Sequence, residues 1–322
     1  MKRQWQWLGG GAFGLILLIE LGLRWGFGFG NPVLSMADEA TGYRFQPNQH
    51  VVRFGNEMIY NAYSQRSGPV VMPKPADQLR ILMIGDSVLN GGTPTDQEEI
   101  ITEILQTRLT AKGINAQVLN ASAGSWGIGN QWGYLRKFGT FESDLLILQI
   151  GSHDLIQPTS KGDRVGVDFN YPDHRPLLAF QEVWQRYLYP PMAKRWGWPL
   201  PGEIPAPQDI DAQWQENRRQ LRAILDWSRQ QNLPVWVLFV PYRVEVIPKP
   251  LEPFYGEEFL TFLAAENIPV INLHQRWQTV PPAEVEGYYR DSVHLTPAGN
   301  AAVAIALQAA LEKQFLTQES QN

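Results

Sequence analysis

Five short apolar runs, residues 81–84, 116–121, 145–150, 234–240 and 268–273, limit what this chain can become. Each is of strand length and ends in a glycine or polar turn. Each is then followed, directly or after a loop, by a segment whose apolar residues recur at helical spacing. Residues 96–112 carry Ile100, Ile101, Ile104, Leu105 and Leu109 on one stripe, and Gly113 ends the run. Residues 130–138, 209–231 and 257–266 read as further helices, the second with Trp214, Leu221, Ile224 and Leu225 on one side. The last helix begins at Thr296-Pro297, a cap followed by a first-turn proline, and turns Val303, Leu307, Leu311 and Phe315 inward. Strands that are apolar throughout, alternating with amphipathic helices, require a parallel sheet covered on both faces. The expected fold class is α/β, a three-layer domain of flavodoxin-like strand order, and no internal repeat is visible.

In such a sheet the working groups lie just past the carboxyl ends of the strands. Gly85-Asp86-Ser87 follows the first run, Asn120-Ala121-Ser122-Ala123-Gly124-Ser125 closes the second, and Gly151-Ser152-His153-Asp154 follows the third. Asp291-Ser292-Val293-His294 precedes the last helix. Far apart in sequence, these stretches can meet at one edge of the sheet. A serine becomes a useful nucleophile only when a base takes its proton and a third group orients that base. Asp291 and His294, three residues apart, can supply base and orienting acid from one loop. Glycine, aspartate and serine are also ordinary turn residues, so the tripeptide at 85–87 alone does not decide between turn and nucleophile.

Taken together, these four stretches resemble the SGNH/GDSL hydrolase family, esterases and acyl-ester hydrolases on a flavodoxin-like sheet. The resemblance runs from about residue 79 to residue 315. It implies Ser87 as nucleophile, His294 as general base and Asp291 as the acid that orients it, with no cofactor and no metal. The family's oxyanion glycine, counted from Asn120, falls on Ser125, with Gly124 immediately before it. A backbone N–H is the donor, so either residue can serve. The family asparagine that donates a side-chain N–H to the oxyanion is replaced here by His153. The expectation is that His153 takes over as donor, the other reading being a structural histidine in a repurposed site.

Ahead of this domain, Met1-Lys2-Arg3 is followed by an apolar run over residues 5–23, long enough to span about 28 Å as a helix. Aromatic residues flank both of its ends, and the leading positive charges favour a cytoplasmic amino terminus. Glu20 interrupts the run but can pair with Arg24 one turn on. Residues 1–30 are therefore read as a membrane anchor, with a cleaved signal peptide as the competing reading. Residues 31–78, punctuated by prolines, read as a stalk of small strands lying on the domain at 79–322. A Trp- and Pro-rich excursion at about 157–207 reads as a packed insertion, with a lid or carbohydrate-stacking surface as other readings.

Composition closes off several classes. A net charge of −5 with dispersed Lys and Arg offers no stripe for nucleic acid. The absence of cysteine excludes disulfides, thiol catalysis and Cys-zinc sites. His50, His174 and His274 have no metal-ligand spacing. Tyr242, Arg243, Tyr288, Tyr289 and Arg290 are read as buried element ends or as lining for a substrate cleft. The expected protein is a single-pass membrane enzyme with an extracytoplasmic domain that removes O-acyl groups, O-acetyl among them, from an envelope glycan or lipid. The alternatives are an O-acyltransferase using the same site and a non-catalytic protein binding an envelope glycan or partner.

Overall fold

The computed structural model of the chain describes residues 2–200 and 209–319, the side chains of 2–10, 12 and 315–319 lying outside that description. A helix over Lys2–Phe27 opens the chain. Among the described residues no helix is long and apolar enough to cross a membrane. Met1 and the side chains of residues 2–10 and 12 of the expected anchor lie outside them, as does the side chain of Phe315. Next come two antiparallel hairpins, β1 (Ser35–Asp38) with β2 (Gly42–Phe45) and β3 (Gln49–Arg53) with β4 (Asn56–Tyr60).

The central sheet holds β5 (Leu79–Gly85), β6 (Ala116–Ser122), β7 (Leu145–Gly151), β8 (Val235–Val240) and β9 (Val270–Asn272). All neighbours are parallel, in the order β6-β5-β7-β8-β9. This is the flavodoxin-like order, and its reversal point lies between β5 and β7. Alternate side chains go to opposite faces. Leu82, Ile84, Leu148, Val237 and Phe239 pack beneath the helices Ile128–Phe138, Ile210–Gln230 and Gly256–Ala265. Ile81, Met83, Val118, Ile147 and Leu238 pack on the helices Ile101–Ala111 and Pro297–Glu319. Each fully buried aliphatic side chain contributes about 1.5–3 kcal/mol, so the two apolar faces hold the three layers together.

Departures from the expected elements have local causes. The helix expected over 96–112 starts only at Ile101, because Ile100 takes an extended conformation and is fully buried; Asp96 caps a separate short turn before it. The fifth strand is brief, since Asn272 accepts from the Gln275 N–H and turns the chain into a helix at once. Within the insertion, helix Ala179–Val183 widens into a π turn at Trp184–Leu188 before helix Tyr189–Trp196. Pro190 and Pro191 have no N–H to return to the preceding turn, which explains the widening.

Residues 31–78 lie against the domain. Arg66 is fully buried and donates to the carbonyls of Asn90, Gly92 and Thr95, fastening the loop that follows the first sheet strand. Arg53 is likewise buried and pairs with Glu182 of the insertion at 2.5 Å. Glu182 also accepts from the Gly30 N–H at 2.7 Å. The insertion is thus gripped from below, but it is not packed throughout: Leu177 is 90% exposed and Trp196 53% exposed. Removing one partner of a buried pair leaves an uncompensated charge. Glu182→Ala is therefore expected to lower folding stability by about 3 kcal/mol, measured as the shift in urea midpoint at constant slope.

Candidate active site

Each expected site residue stands at the carboxyl edge of the sheet or on the loop entering the last helix. Asp86 leaves β5 and caps the short helix Ser87–Asn90, its Oδ1 accepting from the Val88 N–H at 2.8 Å. Ser87 therefore stands at the first position of that helix, partly exposed between buried neighbours. Gly85 must be glycine, because a Cβ there would lie 2.3 Å from Gln149 Oε1. That same oxygen accepts from the Asp86 N–H at 3.0 Å.

The loop carrying Asp291 and His294 is closed on itself. Tyr289 and Leu295 form an isolated antiparallel bridge, and the Arg290 N–H donates to the His294 carbonyl at 2.8 Å. Asp291 Oδ1 accepts from the N–H groups of Val293 and His294, both at 2.8 Å. Its Oδ2 lies 2.8 Å from His294 Nδ1. His294 Nε2 in turn lies 2.9 Å from Ser87 Oγ. With Nδ1 protonated towards Asp291, Nε2 presents its lone pair to the serine hydroxyl. This is the geometry a serine needs to lose its proton as it attacks. Burial opposes ionisation of Asp291, but the two backbone donors and the imidazole outweigh it and hold the carboxyl below its usual range.

Residues 83–302 match the family model described as the GDSL-like lipase/acylhydrolase family, which is more than half of the chain. The chain belongs to that family. By class it is a carboxylic ester hydrolase. Solved structures with a similar outline include the acetyl xylan esterase AlAXEase, at 16% identity and TM-score 0.47, covering 72% of this chain and 99% of that one. TesA follows at 15% identity and TM-score 0.44, covering 73% and 98%. The psychrotrophic esterase EstA from Pseudoalteromonas sp. gives 14% identity and TM-score 0.42, with 73% and 98% covered. No curated protein matches the chain in sequence.

In this GDSL-like hydrolase the glycine turn after β6 is held from outside the sheet. The Gly124 carbonyl accepts from the Tyr43 hydroxyl, and the Ser125 carbonyl from Ser160 Oγ. Both carbonyls thus face protein partners. Ser125 has φ +57, a left-handed conformation that costs a residue with a Cβ roughly 1 kcal/mol. Its hydroxyl accepts from Tyr171 Oη at 3.2 Å, a bond a glycine could not make.

His153 is turned towards Asp86, its Nε2 2.6 Å from Asp86 Oδ2 and 3.5 Å from Asp154 Oδ1. Its ring covers Gly151, whose Cβ, if present, would lie 2.5 Å from the ring. Burial opposes a charged ring, but the carboxylates of Asp154 and Asp86 prevail and push its pKa up to about 9. Burial pushes Asp154 itself up to about 7, against the pull of His153. Ligand atoms of Asp86, His153 and Asp154 lie within 4.8 Å of one another. In the structure His153 Nε2 is engaged by Asp86, and the three side chains form one hydrogen-bonded cluster.

Other residues do less, or more, than their sequence positions suggested. Tyr289 is buried and donates to the Pro241 carbonyl at 3.0 Å, while the Arg243 N–H donates to the Ser292 carbonyl at 3.0 Å. Both support the catalytic loop. Tyr242 stands over the His153 ring at 5.3 Å. His274, on the helix Leu273–Gln278, joins a buried trio with Ser152 Oγ at 3.1 Å and Glu245 Oε2 at 3.0 Å. Gln149, which holds the Asp86 N–H, is marked in the sequence only as a lone amide inside an apolar run. Tyr43 and Tyr171 carried no such signal, because their roles depend on distant segments meeting.

The raised value of His153 gives a sign for pH dependence. Its folded value of about 9 exceeds the ordinary 6.5, so its contribution to stability is complete below pH 6.5 and is lost as pH rises through about 9. Between pH ~7 and ~9, urea unfolding should show stability falling in the parent protein and falling less in His153→Asn.

Proposed function

We propose that this hydrolase removes O-acyl groups, O-acetyl among them, from a glycan or lipid of the cell envelope, held at the membrane by its amino-terminal helix with the catalytic domain on the extracytoplasmic side. The observation that carries the chemistry is the continuous relay Ser87 Oγ–His294 Nε2–Asp291, with contacts of 2.9 and 2.8 Å. Ser87 Oγ attacks the ester carbonyl carbon while His294 Nε2 takes its proton. The alkoxide leaves with that proton, and the acyl group remains on Ser87. Water then attacks the acyl carbon, giving a proton to His294, and the carboxylic acid departs as Ser87 is reprotonated. Asp291 steadies the imidazolium in both halves. The oxyanion is received by the N–H of Ser87 with that of Gly124 or Ser125. His153 Nε2 is engaged by Asp86, so its Nδ1–H is the ring donor that stands in for the family asparagine.

The exposure of the site bears on substrate and acceptor. The Asp291 side chain is 47% exposed and that of His294 31%. An open relay suits an acyl group projecting from a bulky chain or a lipid headgroup. It also leaves the acyl-enzyme accessible to water, whereas transfer to another hydroxyl needs water kept out. Hydrolysis is therefore favoured over acyl transfer, and an intact relay speaks against a purely binding role. The envelope location is supported by the charged and aromatic pattern of residues 1–27.

Two measurements test this reading. A fluorophosphonate probe should label the parent protein and leave Ser87→Ala unlabelled, while p-nitrophenyl acetate turnover falls about 10⁶-fold. Absence of labelling in both proteins would instead indicate a binding module. His153→Asn should lower turnover by about 10²-fold; unchanged or higher turnover would leave His153 a structural role only.

A further inference from the structure

The amino-terminal helix does not stand apart from the insertion. Glu20 Oε1 lies 2.6 Å from Arg24 Nε and accepts from the Ala179 N–H at 2.7 Å, while Oε2 accepts from the Phe180 N–H at 3.2 Å. Arg24 Nη2 donates to the Leu177 carbonyl at 2.6 Å. The charged pair that interrupts the apolar run is thus completed by backbone groups of the insertion. These contacts fix residues 177–180 beside the last turns of the helix, immediately before the exposed Trp25 and Phe27. If the helix spans a bilayer over about 28 Å from Trp5 to Leu23, residues 177–180 lie at the lipid boundary.

The surface presented there is apolar and aromatic. Leu177, Leu178, Phe180, Trp184, Tyr187 and Leu188 are all exposed, Leu177 at 90%. Residues 175–200 carry the exposed Arg175, Lys194 and Arg195 and no exposed carboxylate, Arg186 being paired with the buried Glu182 at 3.6 Å, in a chain of net charge −5. Exposed aromatic and aliphatic side chains with local positive charge match the interfacial zone of an anionic bilayer.

We propose that residues 177–188 of the insertion are a second, interfacial membrane contact that beds the catalytic domain against the anionic surface of the bilayer. The proposal rests on the membrane reading of the amino-terminal helix given above. Its consequence is that the domain has a fixed orientation on the membrane, set by Glu20, Arg24 and the insertion together.

The chain contains no cysteine, so single substitutions provide unique labelling positions. Phe13→Cys, Leu177→Cys, Tyr187→Cys and the distant Gln230→Cys, each in the full chain, are labelled with an environment-sensitive fluorophore. They are then reconstituted into vesicles containing phosphatidylglycerol and lipids brominated high on the acyl chain. The expected result is quenching at 13, 177 and 187, none at 230, and weaker quenching at 177 and 187 when phosphatidylglycerol is replaced by phosphatidylcholine. Quenching at 13 without quenching at 177 and 187 would overturn the interfacial contact and leave the anchor standing. Protection of 177 and 187 from an aqueous quencher in the absence of lipid would assign the surface to a second copy instead. No quenching at 13 would overturn both readings.

Discussion

The site depends on what the carboxylate of Asp86 holds. One oxygen caps the turn that begins with Ser87, at 2.8 Å from the Val88 N–H, and the other accepts a hydrogen bond from His153 Nε2 at 2.6 Å. Its own N–H is fastened to Gln149 of the neighbouring strand. The ends of β5 and β7, the two strands flanking the reversal of sheet order, are locked together by one fully buried side chain. In so dry a place a charge-assisted hydrogen bond is strong and an unpaired charge is costly. The carboxylates of Asp86 and Asp154 favour the protonated ring of His153, an interaction a neutral amide at that position would not make.

Much of the domain was legible in the sequence because its strands are apolar on both faces and its helices on one. That pattern allows few arrangements, and the observed order of β5 to β9 is among them. Ser87, Asp291 and His294 could be found for the same reason: strand ends and the entry to the last helix lie on one edge. What could not be read were roles created by segments meeting across long separations. Tyr43 and Ser160 restrain the glycine turn through its carbonyls, and neither residue type nor spacing marks them for it. His153 was visible as a replacement, but its bond to Asp86 depends on the close approach that Gly85 and Gly151 permit.

The segment before the sheet and the insertion within it behave as one brace. Arg53 and Glu182 join them in the interior, and Tyr43 and Tyr171 approach edge to face at 4.8 Å beside the glycine turn. Short hairpins of this kind have little stability by themselves. Here they gain it from buried guanidinium groups that satisfy loop carbonyls, as Arg66 does behind the nucleophile. The insertion answers the same demand on its inner side and leaves its outer side apolar.

The general base and its orienting acid occupy a single loop, tied by the bridge between Tyr289 and Leu295 and by bonds among its own backbone groups. A loop of that kind can open without disturbing the sheet, since local openings need less free energy than global unfolding. On heating, loss of turnover would then precede the melting of secondary structure, and brief cooling would restore it as the loop recloses over Ser87.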